Sequence, residues 1–330
     1  MPILLLLLHL TMWPVQATPS PTAIIFDTDI APDFDDIGAL AMLHAFADKG
    51  EARLLATISS NACETTVPTL SVINTYFGRP DLPIGVLKAP EPNKPCTYSW
   101  AEEIISRYPH ALRSNDEAPD AVTVYRKTLS SQPDTSVVIV TVGFMSNLAN
   151  LLTSAPDEHS PLDGIQLVRR KVRRLVSMAG GIDSTGTGGY EYNITTDIAA
   201  SKKVFADWPT EITLSGFEIG VEIFTGIRLI NNDAIQRSPV KDVYFTALTY
   251  NKSTLGHYSW DQTAVLVAVR SIEPYFGFRR MDLGILDDGR DTVLAGDRIT
   301  YLISRGNPAE VARVIEDLMM HQSSPPTNPR

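Results

Sequence analysis

Residues 22–43 read TAIIFDTDIAPDFDDIGALAML, and this stretch decides the fold. Its first five residues, rich in apolar and β-branched side chains, suit a buried strand. Its last seven, IGALAML, open an apolar helix. The ten residues between them hold five carboxylates: Asp27, Asp29, Asp33, Asp35 and Asp36. In an open α/β sheet, ligands bind outside the carboxyl ends of the strands, where this loop falls. Like charges crowded in so short a loop repel, so one or more must protonate unless a cation sits among them. Ligation by carboxylate oxygens, without His or Cys in the loop, favours a hard ion, Ca²⁺ or Mg²⁺, over zinc.

Strands and helices alternate downstream. The pattern predicts strands at 53–58, 83–87, 136–142, 173–179 and 211–215, and helices at 37–47, 67–77, 100–107, 118–131, 146–152, 197–205, 240–249 and 263–269. Residues 136–142 (SVVIVTV) are β-branched almost throughout, as expected of a strand covered on both faces. A hairpin near 276–286 and 291–302 and a helix at 308–320 complete the chain. This alternation predicts an α/β fold, an open and mainly parallel sheet flanked by helices. No shift of composition divides residues 18–330, so a single catalytic domain is expected.

The chain has 330 residues, 44% of them hydrophobic, and a formal net charge of −10. That balance argues against a nucleic-acid backbone as partner, since phosphates need a basic face, but it leaves uncharged nucleosides open. Residues 1–17 contain ILLLLLHL and end in Val15-Gln16-Ala17, which reads as a secretory signal peptide even without a Lys or Arg before the apolar run. The expected mature protein is secreted or periplasmic and free of the membrane after cleavage; an uncleaved anchor is the alternative. Cys63 and Cys96 either pair in an oxidising compartment or remain unpaired.

Besides the acidic loop, four segments fall at strand ends or helix starts: Ser59–Asn61, Val142–Gly143, Glu191–Asn193 and Trp260–Asp261. Singly, each has a plain structural role. Asp261 suits a helix N-cap, Asn61 a turn, and Glu191 a solvated surface. Together on one sheet edge they form a site, in which a strand-end carbonyl such as that of Val142 and the carboxylate of Asp261 complete a calcium sphere.

These segments resemble the nucleoside hydrolases (nucleoside N-ribohydrolases). The resemblance rests on IIFDTDIAPDFDDIGALAML, TVG-SNLA (141–149), MAGG (178–181), EYN-TTD (191–197) and SWDQTAV (259–265), in the family's order. It implies Ca²⁺ held by Asp29, Asp36, the main-chain carbonyl of Val142 and Asp261. It further implies a water attacking the ribose anomeric carbon with Asp29 as general base. Asp35, Asn61, Glu191 and Asn193 would hold ribose hydroxyls, and Asp261 would touch metal and sugar alike. Carboxylates suit this chemistry, because breaking an N-glycosidic bond builds positive charge on the sugar.

The departure lies on the leaving-group side. Several relatives carry a His directly before the last Asp, where Trp260 stands here, so the chain looks like the purine-preferring branch that stacks the base on aromatic rings. Trp260 is the first such ring, Tyr98 and Trp100 are expected to supply the second, and His257 is a candidate acid. The expected partner is a small-molecule nucleoside; no nucleic acid is expected, and a homo-oligomer is compatible with the sequence. Two alternatives stand beside this. One is a calcium-dependent nucleoside- or sugar-binding protein of the same fold without turnover. The other is a Mg²⁺-dependent phosphatase of the DxD type with Asp27 as nucleophile.

Overall fold

In the computed structural model, which describes residues 20–183 and 186–323, the strands are β1 (Thr22–Thr28), β2 (Ala52–Ser59), β3 (Ile84–Val86), β4 (Val137–Thr141), β5 (Val172–Met178), β6 (Glu211–Ser215), β7 (Phe224–Thr225), β8 (His257–Tyr258), β9 (Phe276–Ile285) and β10 (Asp291–Ser304). The expected signal peptide lies outside the described residues. Eight strands form one sheet in the order β3-β2-β1-β4-β5-β6-β10-β9, while β7 and β8 pair separately. All neighbours are parallel except β9, which returns antiparallel along β10. The chain winds outward to β3 on one side of β1 and to β6 on the other, so the β1–β4 boundary is the topological switch point where α/β sheets bind ligands.

Register brings the expected segments to that point. Asp27 of β1 lies opposite Ile58 of β2 and Thr141 of β4, so the acidic loop, the Ser59–Asn61 turn and Val142 leave the sheet side by side. Alternate residues face opposite sides, as strand geometry requires. Ile24, Phe26, Val138 and Val140 enter one core, and Ala23, Ile25, Val137 and Ile139 the other. Helices cover both faces, which is why these strands are apolar throughout.

The helix Asp35–Asp48 begins two residues before the apolar run, placing Asp35 and Asp36 in its first turn. Carboxylates there meet the positive end of the helix dipole. A second helix, Trp260–Val269, carries Asp261 in its own first turn. The backbone N–H of Asp261 donates to Asp35 Oδ2 at 3.0 Å, which joins the two helix starts. The short helix Gly164–Lys171 was not expected; three consecutive cations end it and obscure its apolar face. Among the described residues no helix is long and apolar enough to cross a membrane.

Candidate active site

At the switch point the strand ends and helix starts surround a cavity of about 530 Å³, within the usual range for a small-molecule site. Its floor is acidic. Asp29, Asp35, Asp36 and Asp261 line it together with Val142, Met178, Glu191 and Asn193. Each is set by local structure. Val142 N donates to the Asp27 carbonyl at 2.8 Å and Ser60 N to the Thr28 carbonyl at 2.9 Å, extending the sheet pattern into the loops. Gly143 is required by close approach: a Cβ there would lie 2.4 Å from Asp29 N. Asp36 Oδ1 accepts from the Thr28 hydroxyl and from Ile30 N. Asn193 Nδ2 donates to the carbonyls of Val142 (2.9 Å) and Met178 (3.1 Å), tying the Glu191–Asn193 segment to the floor. A carbonyl accepts two bonds, so that of Val142 keeps a lone pair for another partner.

Electrostatics distinguish these carboxylates from ordinary buried ones. Burial, and then their mutual repulsion, hold Asp29, Asp35 and Asp261 well above the usual carboxylate range; burial lifts Asp36 to about 6. Oxygens of Asp35, Asp36 and Asp261 lie within 4.8 Å of one another. Oxygen ligands of one hard divalent cation fall within about 5 Å of each other, so this oxygen set could hold such an ion. Asp29 and Val142 face the same cavity, although Asp35 rather than Asp29 belongs to the tight trio.

Asp27 behaves otherwise. Its Oδ2 accepts from Tyr125 Oη at 2.8 Å and from Asn147 Nδ2 at 3.1 Å, and it is completely buried. Burial raises it to about 7 in spite of these donors. It does not line the cavity. A phosphatase nucleophile at Asp27 is therefore ruled out: the residue is an internal polar anchor between the sheet and two helices.

The rim carries the aromatic rings and combines loop residues with the first residues of helices. Pro32, Asp33, Lys94, Pro95, Thr97, Tyr192, Phe217 and Trp260 complete the lining. Trp260 lies on the cavity as expected, but its indole stacks on Phe217 (centroids 5.3 Å, interplanar 29°) and donates Nε1–H to the Phe217 carbonyl at 2.9 Å. Tyr258 covers it further at 4.7 Å. Phe217, 45% exposed, is the freer ring, with Tyr192 beside the cavity at 51%.

Three expectations need correction. Trp100 has no exposure and packs in the core, because it starts the helix Trp100–Arg107 and its ring turns inward. Tyr98 pairs with Tyr250 at 4.5 Å and does not line the cavity. Asn61 stands behind the wall: Nδ2 donates to the carbonyls of Asp29 (3.0 Å) and Lys94 (2.9 Å), and Oδ1 accepts from the backbone of Lys94 and Cys63. Its amide, spent on backbone, ties the acidic loop to the Lys94–Thr97 wall. His257 lies beside the rim, stacked on Phe34 at 4.0 Å with Nε2 2.7 Å from Asp33 Oδ1. Cys63 and Cys96 are free thiols.

The fold and site thus define a doubly wound α/β protein with an acidic, oxygen-rich floor that could hold a cation, under a rim that carries aromatic rings. Residues 24–320 match the family described as inosine-uridine preferring nucleoside hydrolase, and the chain belongs to that family. A pyrimidine-specific ribonucleoside hydrolase, RihA, of Salmonella paratyphi A is 31% identical over 198 residues, 55% of this chain and 56% of that protein. The non-specific ribonucleoside hydrolase RihC of Klebsiella pneumoniae is 28% identical over 206 residues, 59% of this chain and 61% of that protein. These matches span little more than half the length of the curated relatives. An inosine-uridine preferring nucleoside hydrolase from Bacillus anthracis superposes with a TM-score of 0.68 at 16% identity, over 91% of this chain and 99% of that one, and supports the fold.

Proposed function

We propose that the protein hydrolyses the N-glycosidic bond of ribonucleosides with the help of a bound Ca²⁺, and that it prefers purines. The observation that carries this is the convergence of Asp29, Asp35, Asp36, Asp261, Glu191 and Asn193 on one cavity beneath the Phe217–Trp260 pair. Asp29, Asp36, Asp261 and the Val142 carbonyl would hold the ion, with Asp35 close enough to share it. A calcium ion bound there would offset the carboxylate charge and would polarise the attacking water. Asp29 takes the proton of that water as its oxygen bonds to the anomeric carbon and the C–N bond breaks. The base leaves with the bonding electrons and takes up a proton. Carboxylates around the ring stabilise the positive charge that develops on the sugar. Asn193 and Glu191 orient ribose through its hydroxyls, holding C1′ over the floor.

The purine preference rests on the rim. A larger ring covers more of an aromatic platform, and a protonated ring gains cation–π attraction there. The two curated relatives are named as pyrimidine-specific and non-specific, so base choice in this chain is attributed to Phe217 and Trp260 alone. The apolar segment 1–17 supports export to the periplasm or medium. The test is product analysis with a panel of purine and pyrimidine nucleosides, with and without a chelator. Free base and ribose should form fastest from purine nucleosides, and activity should vanish with chelator and return with Ca²⁺. Binding without product would make this a nucleoside-binding protein, and uridine as best substrate would end the purine assignment.

A further inference from the structure

The segment that carries Glu191 and Asn193 follows a glycine-rich loop, and that loop is held from the far side by one residue of the edge hairpin. Gly181 N donates to Asp291 Oδ2 at 2.5 Å. Asp291 N donates to the Gly189 carbonyl at 2.8 Å, and Gly189 N closes the base of the loop on the Gly181 carbonyl at 2.6 Å. Gly188 lies so close that a Cβ would sit 1.8 Å from the Asp291 carbonyl oxygen, so only glycine fits. Gly189, held by Asp291, precedes Glu191 by two residues. Glu191 also caps the short helix Tyr192–Thr196, accepting from Asn193 N at 2.8 Å and Ile194 N at 3.1 Å. Any shift of the loop base is passed directly to Glu191 and, one residue beyond Tyr192, to Asn193.

Asp291 has no other visible employment. It is 1% exposed, does not line the cavity, and its Oδ1 has no partner among the described residues. A buried carboxylate with a single accepted bond is costly for stability, and an apolar residue would serve the hairpin better. We propose that Asp291 is a positioning residue of the site: by clasping Gly181 and Gly189 it sets where Glu191 and Asn193 meet the ribose hydroxyls. The proposal rests on the ribonucleoside assignment above. It also predicts that the accepted hydrogen bond matters and the charge does not, because an amide oxygen can take the same N–H.

The experiment compares kcat/KM for inosine with that for its 2′-deoxy and 3′-deoxy counterparts. A site built to bond a hydroxyl rejects the analogue lacking it, so the ribo-to-deoxy ratio reports how well Glu191 and Asn193 are placed. A lower fraction of folded enzyme lowers all three rates alike and leaves the ratio unchanged. Asp291→Ala should reduce at least one ratio about tenfold or more, and Asp291→Asn should keep both within about threefold of wild type. Gly188→Ala, which drives the loop off Asp291 without touching its side chain, should repeat the loss and serves where Asp291→Ala does not fold. Unchanged ratios in folded Asp291→Ala or Gly188→Ala protein would overturn the proposal, as would an Asp291→Asn protein as indiscriminate as Asp291→Ala. If the wild type cleaves no nucleoside, the functional assignment fails instead. The same comparison is then read by calorimetry, as ribose against 2-deoxyribose affinity.

Discussion

The floor and the rim of this cavity are built by opposite means. The floor groups Asp29 and Val142 follow two adjacent parallel strands at the sheet's switch point, where backbone bonds continue the sheet pattern, and Asp35 and Asp36 open the helix that follows β1. Of the rim groups, Lys94 comes from a loop, while Tyr192, Phe217 and Trp260 each open a separate helix. Phe217 and Trp260 meet by ring stacking and by the Trp260 Nε1–H bond to the Phe217 carbonyl. Topology thus places the charge, whereas one loop and three separate helix starts place the shape. Changes in the floor should act on chemistry and metal, and changes in the rim on substrate discrimination.

The largest effect expected is at Asp29, and its neighbour Asp27 is the control. Asp29→Asn should lower kcat at least ~1000-fold, about 4 kcal/mol of barrier, without lowering the melting temperature of metal-free protein. One of several mutually repelling buried carboxylates is then gone. Asp27→Ala should do the reverse, because Tyr125 and Asn147 would lose their acceptor: ~1–3 kcal/mol of stability lost, with turnover by the folded fraction changed little. A tenth or more of wild-type turnover in Asp29→Asn would move the base elsewhere.

Calcium itself should separate floor from rim next. Saturating the protein to about 100 times Kd should stabilise it by ~2.7 kcal/mol, visible as a higher melting temperature that chelator reverses. Mg²⁺ should do less, since it prefers octahedral geometry and keeps its waters. Asp36→Asn and Asp261→Asn should blunt the calcium shift, and Phe217→Ala should leave it intact. A rim variant that abolished the shift would dissolve the division between the two regions.

At the rim, Phe217→Ala should cost more in purine nucleoside kcat/KM than Trp260→Ala, within ~1–3 kcal/mol for a lost stacking platform. Trp260 supports Phe217 and is itself covered by Tyr258, while Phe217 presents the freer face. The reverse order, measured with inosine, would return the base contact to the indole.

The same division explains what the sequence disclosed. The floor was legible because a strand, an acidic loop and a helix follow one another within 22 residues, and register does the rest. Residue type alone could not tell which way a rim side chain points. Trp100 was expected to stack on the base, yet the helix that it starts turns its ring into the core. Asn61 sits at the correct strand end, but its amide is taken by backbone on both sides. Phe217 was missed, although it follows β6 at the same carboxyl edge as the other site segments, which was a usable signal. Asp291 had none, because its partner Gly181 lies 110 residues away in sequence.

The smallest effect concerns how the floor helix Asp35–Asp48 is anchored at its far end. His44 is fully buried, its ring stacked on Phe77 at 4.7 Å, with Nε2 3.0 Å from Asn74 Oδ1 and Nδ1 3.4 Å from Arg79 Nη1. Arg79 can only donate, so Nδ1 accepts and Nε2–H donates to Asn74; the ring is neutral. Burial first, then the Arg79 charge, push its pKa from 6.5 down to about 3. The unfolded chain therefore binds this proton at a higher pH than the folded one. The contribution of His44 is complete above pH 6.5 and is lost progressively as pH falls towards about 3. Between pH 7.5 and 5.5 the loss is about 1.4 kcal/mol. The floor carboxylates, raised by burial, titrate with the opposite sign, but they are common to wild type and variant and cancel in the difference. In calcium-saturated protein, His44→Gln should therefore lose less stability than wild type over that interval, as read from denaturant midpoints at the two pH values. Parallel losses would mean that the imidazole takes up its proton in the folded protein about as readily as in the unfolded chain, so that its pKa is not depressed by burial.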